Sequence, residues 1–189
     1  MKVFRVDTVI YKKVAGTRFQ PLPRALVSFY GYGDLTGPWY SEPSPFYNQS
    51  EAIPEQSGRA ATGGATISTG PMEPASARSE FYFYCRQQGI WPKEISGHHP
   101  SNRDWFAPYE PLRNVSPSYP PTLLLHGEAD TDVPFEQSVL MAGELARHGV
   151  THEFVSDPGW VHAFDFVTPP TPPPAVPAEF VPQFFRARR

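Results

Sequence analysis

The chain has 189 residues, 40% of them hydrophobic and 19% charged, which suits a globular domain with a sizeable core and argues against a disordered chain. The formal net charge of −3 is spread without long runs, so neither nucleic acid nor a membrane surface is an expected partner. Charged residues Arg5 and Asp7 interrupt the N-terminal segment, which would be apolar in a signal peptide. The single cysteine, Cys85, cannot form an intrachain disulfide. A cytoplasmic protein is therefore expected.

The first predicted element is a β-hairpin within residues 1–22. Residues 3–19 alternate apolar and polar side chains, and Ala15 and Gly16 supply a turn. A strand is predicted at Ala25–Tyr30, where nearly every position is apolar. Such a run is typical of a strand that is covered on both faces in a parallel sheet.

The pattern loosens over residues 39–120, which we interpret as an irregular, lid-like excursion with one short helix at Ala75–Gln88. An inert, buried thiol is predicted for Cys85. The aromatic side chains of this segment either face a substrate or pack the excursion onto the body, and packing is the simpler interpretation. They are Trp39, Tyr40, Phe46, Tyr47 and Trp91.

Regular structure is predicted again after residue 121. A buried strand at Thr122–His126 precedes a helix that begins near Pro134 and runs to Arg147, and a third strand covers Thr151–Val155. Strand, helix and strand form one βαβ unit, so an α/β fold with a mainly parallel sheet is predicted for residues 23–168. The Pro-rich tail, residues 169–189, is expected to lie outside the core.

Two loops after neighbouring strands carry groups suited to catalysis. Asp130 follows the second strand, and His162 follows the third. Loops at the carboxyl ends of adjacent parallel strands lie close together, so these two side chains are predicted to meet. A carboxylate that accepts the imidazole Nδ1–H fixes the tautomer of the ring, which is the orienting half of a Ser-His-Asp triad.

The same residues carry a family resemblance. The run from His126 to Pro134, of the pattern His-Gly-x-x-Asp-x-x-Val-Pro, together with His162 after the next strand, resembles the acid and histidine loops of α/β-hydrolases of the prolyl oligopeptidase type. Shorter similarities lie at residues 28–34 and 84–89. The resemblance implies a truncated α/β-hydrolase fold, with Asp130 as the triad acid and His162 as the triad base.

Other candidates fit the pattern less well. Asp132 is a rival acid in the same loop, but the motif places the acid three residues before Val133. Of the remaining histidines, His126 ends a buried strand and is expected to bond locally. The adjacent pair His98 and His99 has poor geometry for a single metal, and His148 and His152 are not expected to act. No metal site and no cofactor are predicted.

The nucleophile is missing from the sequence. An α/β-hydrolase carries its serine on a Gly-x-Ser-x-Gly turn, and no such pattern occurs in these 189 residues. The His-Gly-Gly-type loop that supplies an oxyanion donor is also missing. Only Gln20–Arg24 separates the hairpin from the first buried strand, where relatives carry about a hundred residues, or three βα units. Serines without flanking glycines are poor substitutes, namely Ser28, Ser96, Ser101 and Ser156.

Two functional hypotheses follow. The first is a serine hydrolase that acts on an ester or peptide substrate in its intact form and is inactive as this chain. The second is a non-catalytic binding protein on the retained scaffold, with the proline tail as a possible ligand for aromatic grooves. The sequence leaves the oligomeric state open. In either case the missing strands are expected to expose the edge of the Ala25–Tyr30 strand.

Overall fold

The computed structural model describes residues 25–60, 62 and 75–166, so the predicted hairpin and the Pro-rich tail lie outside the described residues. Contacts between Cα atoms divide the described residues into a sheet unit, residues 25–34 and 108–166, and a helical unit within residues 35–107. In chain order the elements are β1 (Leu26–Phe29), α1 (Pro38–Ser41), α2 (Glu55–Ala60), α3 (Ala75–Gln88), α4 (Trp91–Ser96), α5 (Arg103–Phe106), β2 (Thr122–Gly127), α6 (Glu136–Arg147) and β3 (His152–Asp157). Short 3-10 helices cover Tyr47–Gln49, Ala107–Tyr109 and Pro111–Asn114.

The sheet of the first unit has the order β1-β2-β3, with both pairs parallel. Leu26 pairs with Thr122, and Thr122 pairs with His152. The predicted parallel α/β architecture is thereby confirmed, including the βαβ unit formed by β2, α6 and β3. Within the described ranges, β1 has β2 on one edge and no strand on the other.

Strand β2 is the centre of the core, because all six of its residues are buried. Its alternate side chains enter two apolar clusters, as expected for a parallel strand covered on both faces. Leu123 and Leu125 join Tyr30, Val133, Trp160 and Phe164 in the first cluster. Leu124 joins Val115, Met141, Leu145 and Val150 in the second, which includes the inner face of α6.

Helix α6 begins two residues after Pro134 and ends at Arg147, as predicted to within one turn. Gly149 has a φ of +65°, which glycine adopts without strain and which ends the helix. Gln137 is fully buried in the first turn of α6, and its Oε1 accepts the backbone N–H groups of Gly33 and Asp34 at 2.8 Å each. This side chain therefore fixes the turn after β1 to the helix.

The helical unit differs from the irregular excursion that the sequence suggested. Helix α3 was predicted and is confirmed with the same bounds, but α1, α2, α4 and α5 were not predicted. Each has only four to six residues, too short for a periodic apolar pattern. A proline stands in the first turn of α1 and of α4, where its missing N–H costs no hydrogen bond.

The aromatic side chains of the helical unit pack around a buried arginine. Arg86 is 3% exposed, and its guanidinium carbon lies 4.9 Å from the ring centroids of both Tyr40 and Tyr47, which are themselves buried. These two rings are therefore buried within the helical unit itself, whereas Phe46 is exposed. Neighbouring Cys85 is a buried free thiol, as predicted, and burial raises its pKa to about 12.

None of the helices in the described part of the chain has the length and apolar content needed to traverse a lipid bilayer.

Candidate active site

The candidate site lies at the carboxyl ends of β2 and β3, where two loops are hydrogen-bonded to each other. Gly127 at the end of β2 pairs with Asp157 at the end of β3. The N–H of Glu128 donates to the carbonyl of Asp157 at 3.0 Å, and that of Ala129 donates to the carbonyl of Trp160 at 3.2 Å. A Cβ at Gly127 would stand 2.0 Å from that Trp160 oxygen, so only glycine permits this approach.

The structure brings the two predicted residues together. His162 Nδ1 lies 3.0 Å from Oδ2 of Asp130, whose side chain is fully buried. The other carboxylate oxygen, Oδ1, accepts the backbone N–H groups of Asp132 and Val133 at 2.9 Å each. The loop backbone thus fixes one oxygen of the carboxylate and turns the other toward the imidazole.

A second imidazole also contacts the carboxylate, and the sequence did not reveal this. His126 is fully buried at the end of β2, and its Nε2 lies 3.5 Å from Oδ2 of Asp130 and 3.0 Å from the carbonyl oxygen of Val133. A carbonyl oxygen can only accept a hydrogen bond, so Nε2 of His126 carries the ring proton. In the neutral ring, Nδ1 then accepts a hydrogen bond from the Ser138 hydroxyl at 2.7 Å. His126 bonds locally, as predicted. The four-residue spacing to Asp130 was the available signal for the missed contact.

These contacts keep Asp130 ionised. Burial of the carboxylate works to raise its pKa, but hydrogen bonds from His126, His162 and the backbone N–H groups of Val133 and Asp132 outweigh burial. The net effect holds the pKa of Asp130 well below its usual range. A carboxylate that stays charged can stabilise an imidazolium at His162 without taking its proton.

The rival acid Asp132 contacts the opposite nitrogen of the same ring. Its Oδ2 lies 3.4 Å from Nε2 of His162, while Asp130 contacts Nδ1. The imidazole of His162 therefore lies between two carboxylates, and the His162 side chain is 34% exposed. In this geometry Asp130 is the residue that orients the ring, and Asp132 occupies the side where a triad serine would stand.

Tyr30 is a further site residue that the sequence analysis missed. Its ring packs edge-on against the His162 ring, with centroids 4.7 Å apart, and its hydroxyl donates to Oδ1 of Asp165 at 2.7 Å. Tyr30 and Ala163 adopt positive φ angles of 38° and 59°, uncommon for residues other than glycine. Backbone strain of this kind clusters at functional sites.

The other sequence candidates lie elsewhere. His98 stacks on Trp105, and His99 contacts Ser101 through Nδ1. Ser96 donates to the carbonyl of Pro92. The remaining candidates also have local partners: His148 contacts Glu144, His152 contacts the carbonyl of Val150, and Ser156 donates to Glu128. Ser28 lies in β1. Across residues 25–60, 62 and 75–166, no three His, Cys, Asp or Glu side chains are grouped to hold a metal ion.

Comparison with known proteins agrees with this geometry. Residues 76–168 match the model of the prolyl oligopeptidase family, Peptidase_S9, a range that contains both Asp130 and His162. A crystal structure of a protein of unknown function from Staphylococcus aureus subsp. aureus Mu50 is 20% identical and superposes with a TM-score of 0.58, over 86% of this chain and 53% of that one. Carboxyl esterase 2 from Tuber melanosporum is 18% identical, over 89% of this chain and 46% of the esterase, with a TM-score of 0.48.

One curated relative is similar in sequence. A non-reducing polyketide synthase from Penicillium rubens is 27% identical over 174 aligned positions, which cover 76% of this chain and 7% of the synthase. The chain thus spans about half of the matched Staphylococcus structure and a small part of the synthase. The described fold is that of a truncated α/β-hydrolase, with a three-stranded parallel sheet. Residues 76–168 are similar to the prolyl oligopeptidase family, and the fold of the chain is similar to that of the Staphylococcus structure.

Proposed function

We propose that the chain carries the acid and the base of a serine hydrolase whose intact form cleaves an ester or peptide bond. The observation that supports this is the 3.0 Å contact between His162 Nδ1 and the buried carboxylate of Asp130. In a complete site, Nε2 of His162 takes the proton from a serine hydroxyl as its oxygen attacks the carbonyl, and then gives that proton to the leaving group. Asp130 stabilises the imidazolium between these steps.

We further propose that this chain by itself has negligible serine-hydrolase turnover. The sequence holds no Gly-x-Ser-x-Gly, and loss of the nucleophile alone costs nearly as much activity as loss of the whole triad. The 3.4 Å contact between Asp132 and Nε2 of His162 supports the same conclusion, because the nitrogen that should accept a serine proton faces a carboxylate. The nitrogen that acts as the base in a triad is thus partnered by a carboxylate and not by a serine hydroxyl.

A fluorophosphonate probe, which labels activated serines, tests both proposals. We expect no labelled serine in the 189-residue chain. The adjoining reading frame should encode a Gly-x-Ser-x-Gly segment, and a chain extended by that segment should be labelled. His162→Gln should abolish the labelling, and Asp104→Asn, at an exposed position, should not change it. Rapid labelling of a serine in the short chain would overturn its proposed inactivity; labelling of the extended chain that survives His162→Gln would overturn the role of the pair.

The second candidate is a non-catalytic binding protein on the hydrolase scaffold, and the missing serine turn is the observation that favours it. This candidate predicts stable expression of the short chain and no serine-bearing segment in the adjoining reading frame. Under either candidate we propose a cytoplasmic location, because the one cysteine is a buried thiol. The net charge of −3 gives no reason to propose nucleic acid as a partner.

A further inference from the structure

The helical unit, residues 35–107, contains a cleft of about 580 Å³ that shares no residue with the Asp130–His162 pair. This volume is within the range of small-molecule sites. Unlike most such sites, its lining is rich in charged and polar side chains. Those that concern the argument are Thr36, Glu42, Lys93, His99 and Arg103.

Cations are in excess in this lining. Lys93 and Arg103 are positive and Glu42 is negative, which gives a formal charge of +1 with a neutral His99. Lys93 is exposed on α4, and its ammonium group forms no ion pair with a residue of the described ranges. A bound anion would therefore gain this attraction without first displacing a carboxylate from Lys93.

Two of the donors are held in place before any ligand arrives. Arg103 Nη1 donates to the hydroxyl of Thr36, which is 3% exposed, so the guanidinium is fixed against a buried group. The backbone N–H of Ser101 donates to Nδ1 of His99 at 3.2 Å. A ring nitrogen that accepts an N–H carries no proton, so the neutral His99 ring has its proton on Nε2, as a donor.

The backbone of the cleft is also closely packed. Gly89, between α3 and α4, has a φ of +69°, and a Cβ there would lie 2.3 Å from the carbonyl carbon of Glu42. Only glycine allows the turn to approach Glu42 this closely. The distance between the side of the cleft that bears Glu42 and the side that bears Lys93 is therefore fixed by main-chain contact.

We propose that this cleft binds a small organic molecule that bears an oxyanion, either a carboxylate or a phosphate. Arg103 contributes a positive charge that is fixed against Thr36, and Lys93 adds a mobile positive charge that can follow the ligand. The Nε2–H of His99 is a third donor. Glu42 supplies one acceptor for a hydroxyl or amino group elsewhere on the ligand.

Citrate and inorganic pyrophosphate are suitable probes, because they separate the carboxylate from the phosphate alternative. Binding is measured by calorimetry at low salt and located by shifts of backbone amide resonances. We expect one of the two probes to shift resonances of residues 36–42 and 89–103, with weaker binding as salt is added. Lys93→Gln and Arg103→Gln should each weaken binding about tenfold or more, as expected for loss of a hydrogen bond to a charged group.

Arg147→Gln is the matched control, because it removes one positive charge from the exposed surface of α6 in the other unit. It should leave binding unchanged, and so should His162→Gln, which separates this test from the proposed hydrolase function. Binding of neither probe below about 1 mM would refute the site. Equal losses in Lys93→Gln and Arg147→Gln would refute it as well, since they would indicate an unspecific charge effect. Lys93 is exposed, so Lys93→Gln should leave the fold intact. This variant therefore still tests the site if Arg103→Gln unfolds the helical unit.

Discussion

Substitution of Asp130 by asparagine tests the local physics of the acid–histidine pair. The amide oxygen can still accept the backbone N–H groups of Asp132 and Val133, which now lie 2.9 Å from Oδ1. The amide nitrogen, however, replaces Oδ2 and faces the imidazoles of His126 and His162, at 3.5 and 3.0 Å. Both imidazole contacts change from donor–acceptor to donor–donor pairs.

The expected loss of folding free energy follows from those two imidazole contacts. A hydrogen bond to a charged group contributes about 1.5–3 kcal/mol, and the longer His126 contact belongs at the low end, so Asp130→Asn should destabilise the sheet unit by about 3–4.5 kcal/mol. The pH dependence has a definite sign. Because the fold lowers the pKa of Asp130, its carboxylate stabilises the protein above the usual aspartate range, near 3.9, and that contribution is lost as the pH falls toward the folded pKa.

Native-state hydrogen exchange of the amides in β2 and β3 is the appropriate assay, because it reports opening of the sheet unit even if the helical unit unfolds separately. The wild-type protein should lose protection as the pH falls below about 4, and Asp130→Asn should lose less over the same interval. Asp104→Asn, at an exposed position in α5, should match the wild type. Equal protection in Asp130→Asn and wild type at neutral pH would refute the proposed energetic role of the buried carboxylate.

Three further predictions concern the same structure. Asp132→Asn removes the carboxylate that contacts Nε2 of His162 at 3.4 Å, so diethyl pyrocarbonate, which attacks a ring nitrogen, should modify His162 faster, as measured by mass spectrometry. Gly127→Ala forces a Cβ against a backbone oxygen and should destabilise the fold by about 3 kcal/mol in denaturant unfolding, whereas Gly143→Ala, inside α6 with open space around it, should stabilise it by about 0.5–1 kcal/mol. The pKa of the buried Cys85 thiol is raised to about 12, so iodoacetamide should label it slowly in the native protein at pH 8 and rapidly in urea; fast native labelling would show that the thiol is accessible.

The sheet was predictable because its signals are local and redundant. The β2 strand is apolar at successive positions, and the structure buries it on both faces, so an error of one residue does not change the assignment. Helix α6 has an apolar face and a terminating glycine. The short helices α1, α2 and α5 carry neither signal, and α4 has a terminating glycine, Gly97, but is too short for an apolar face. Their positions depend on packing around Arg86 and similar contacts that no sequence window contains.

For the candidate site, the strand register predicted which loops meet but not the atoms that touch. The adjacency of Asp130 and His162 follows from two parallel strands that end at the same edge. The contact of Tyr30 with His162 spans more than a hundred residues and requires a positive φ at Tyr30, which the sequence does not indicate for a tyrosine. The division of Asp130 and Asp132 between the two ring nitrogens also depends on loop geometry, because both residues lie in one short loop.

The geometry of the acid–histidine pair is a property of one local segment. The carboxylate of Asp130 is held by the backbone of its own loop and by His126, which the first turns of α6 orient through Ser138. The loop of His162 is brought close by main-chain bonds that only Gly127 permits. None of these contacts involves a nucleophile or an oxyanion hole, so the pair can form in a chain that lacks both. The Asp130–His162 contact in this chain is therefore a consequence of how β2, α6 and β3 pack, and hydrolytic activity requires separate proof from the serine itself.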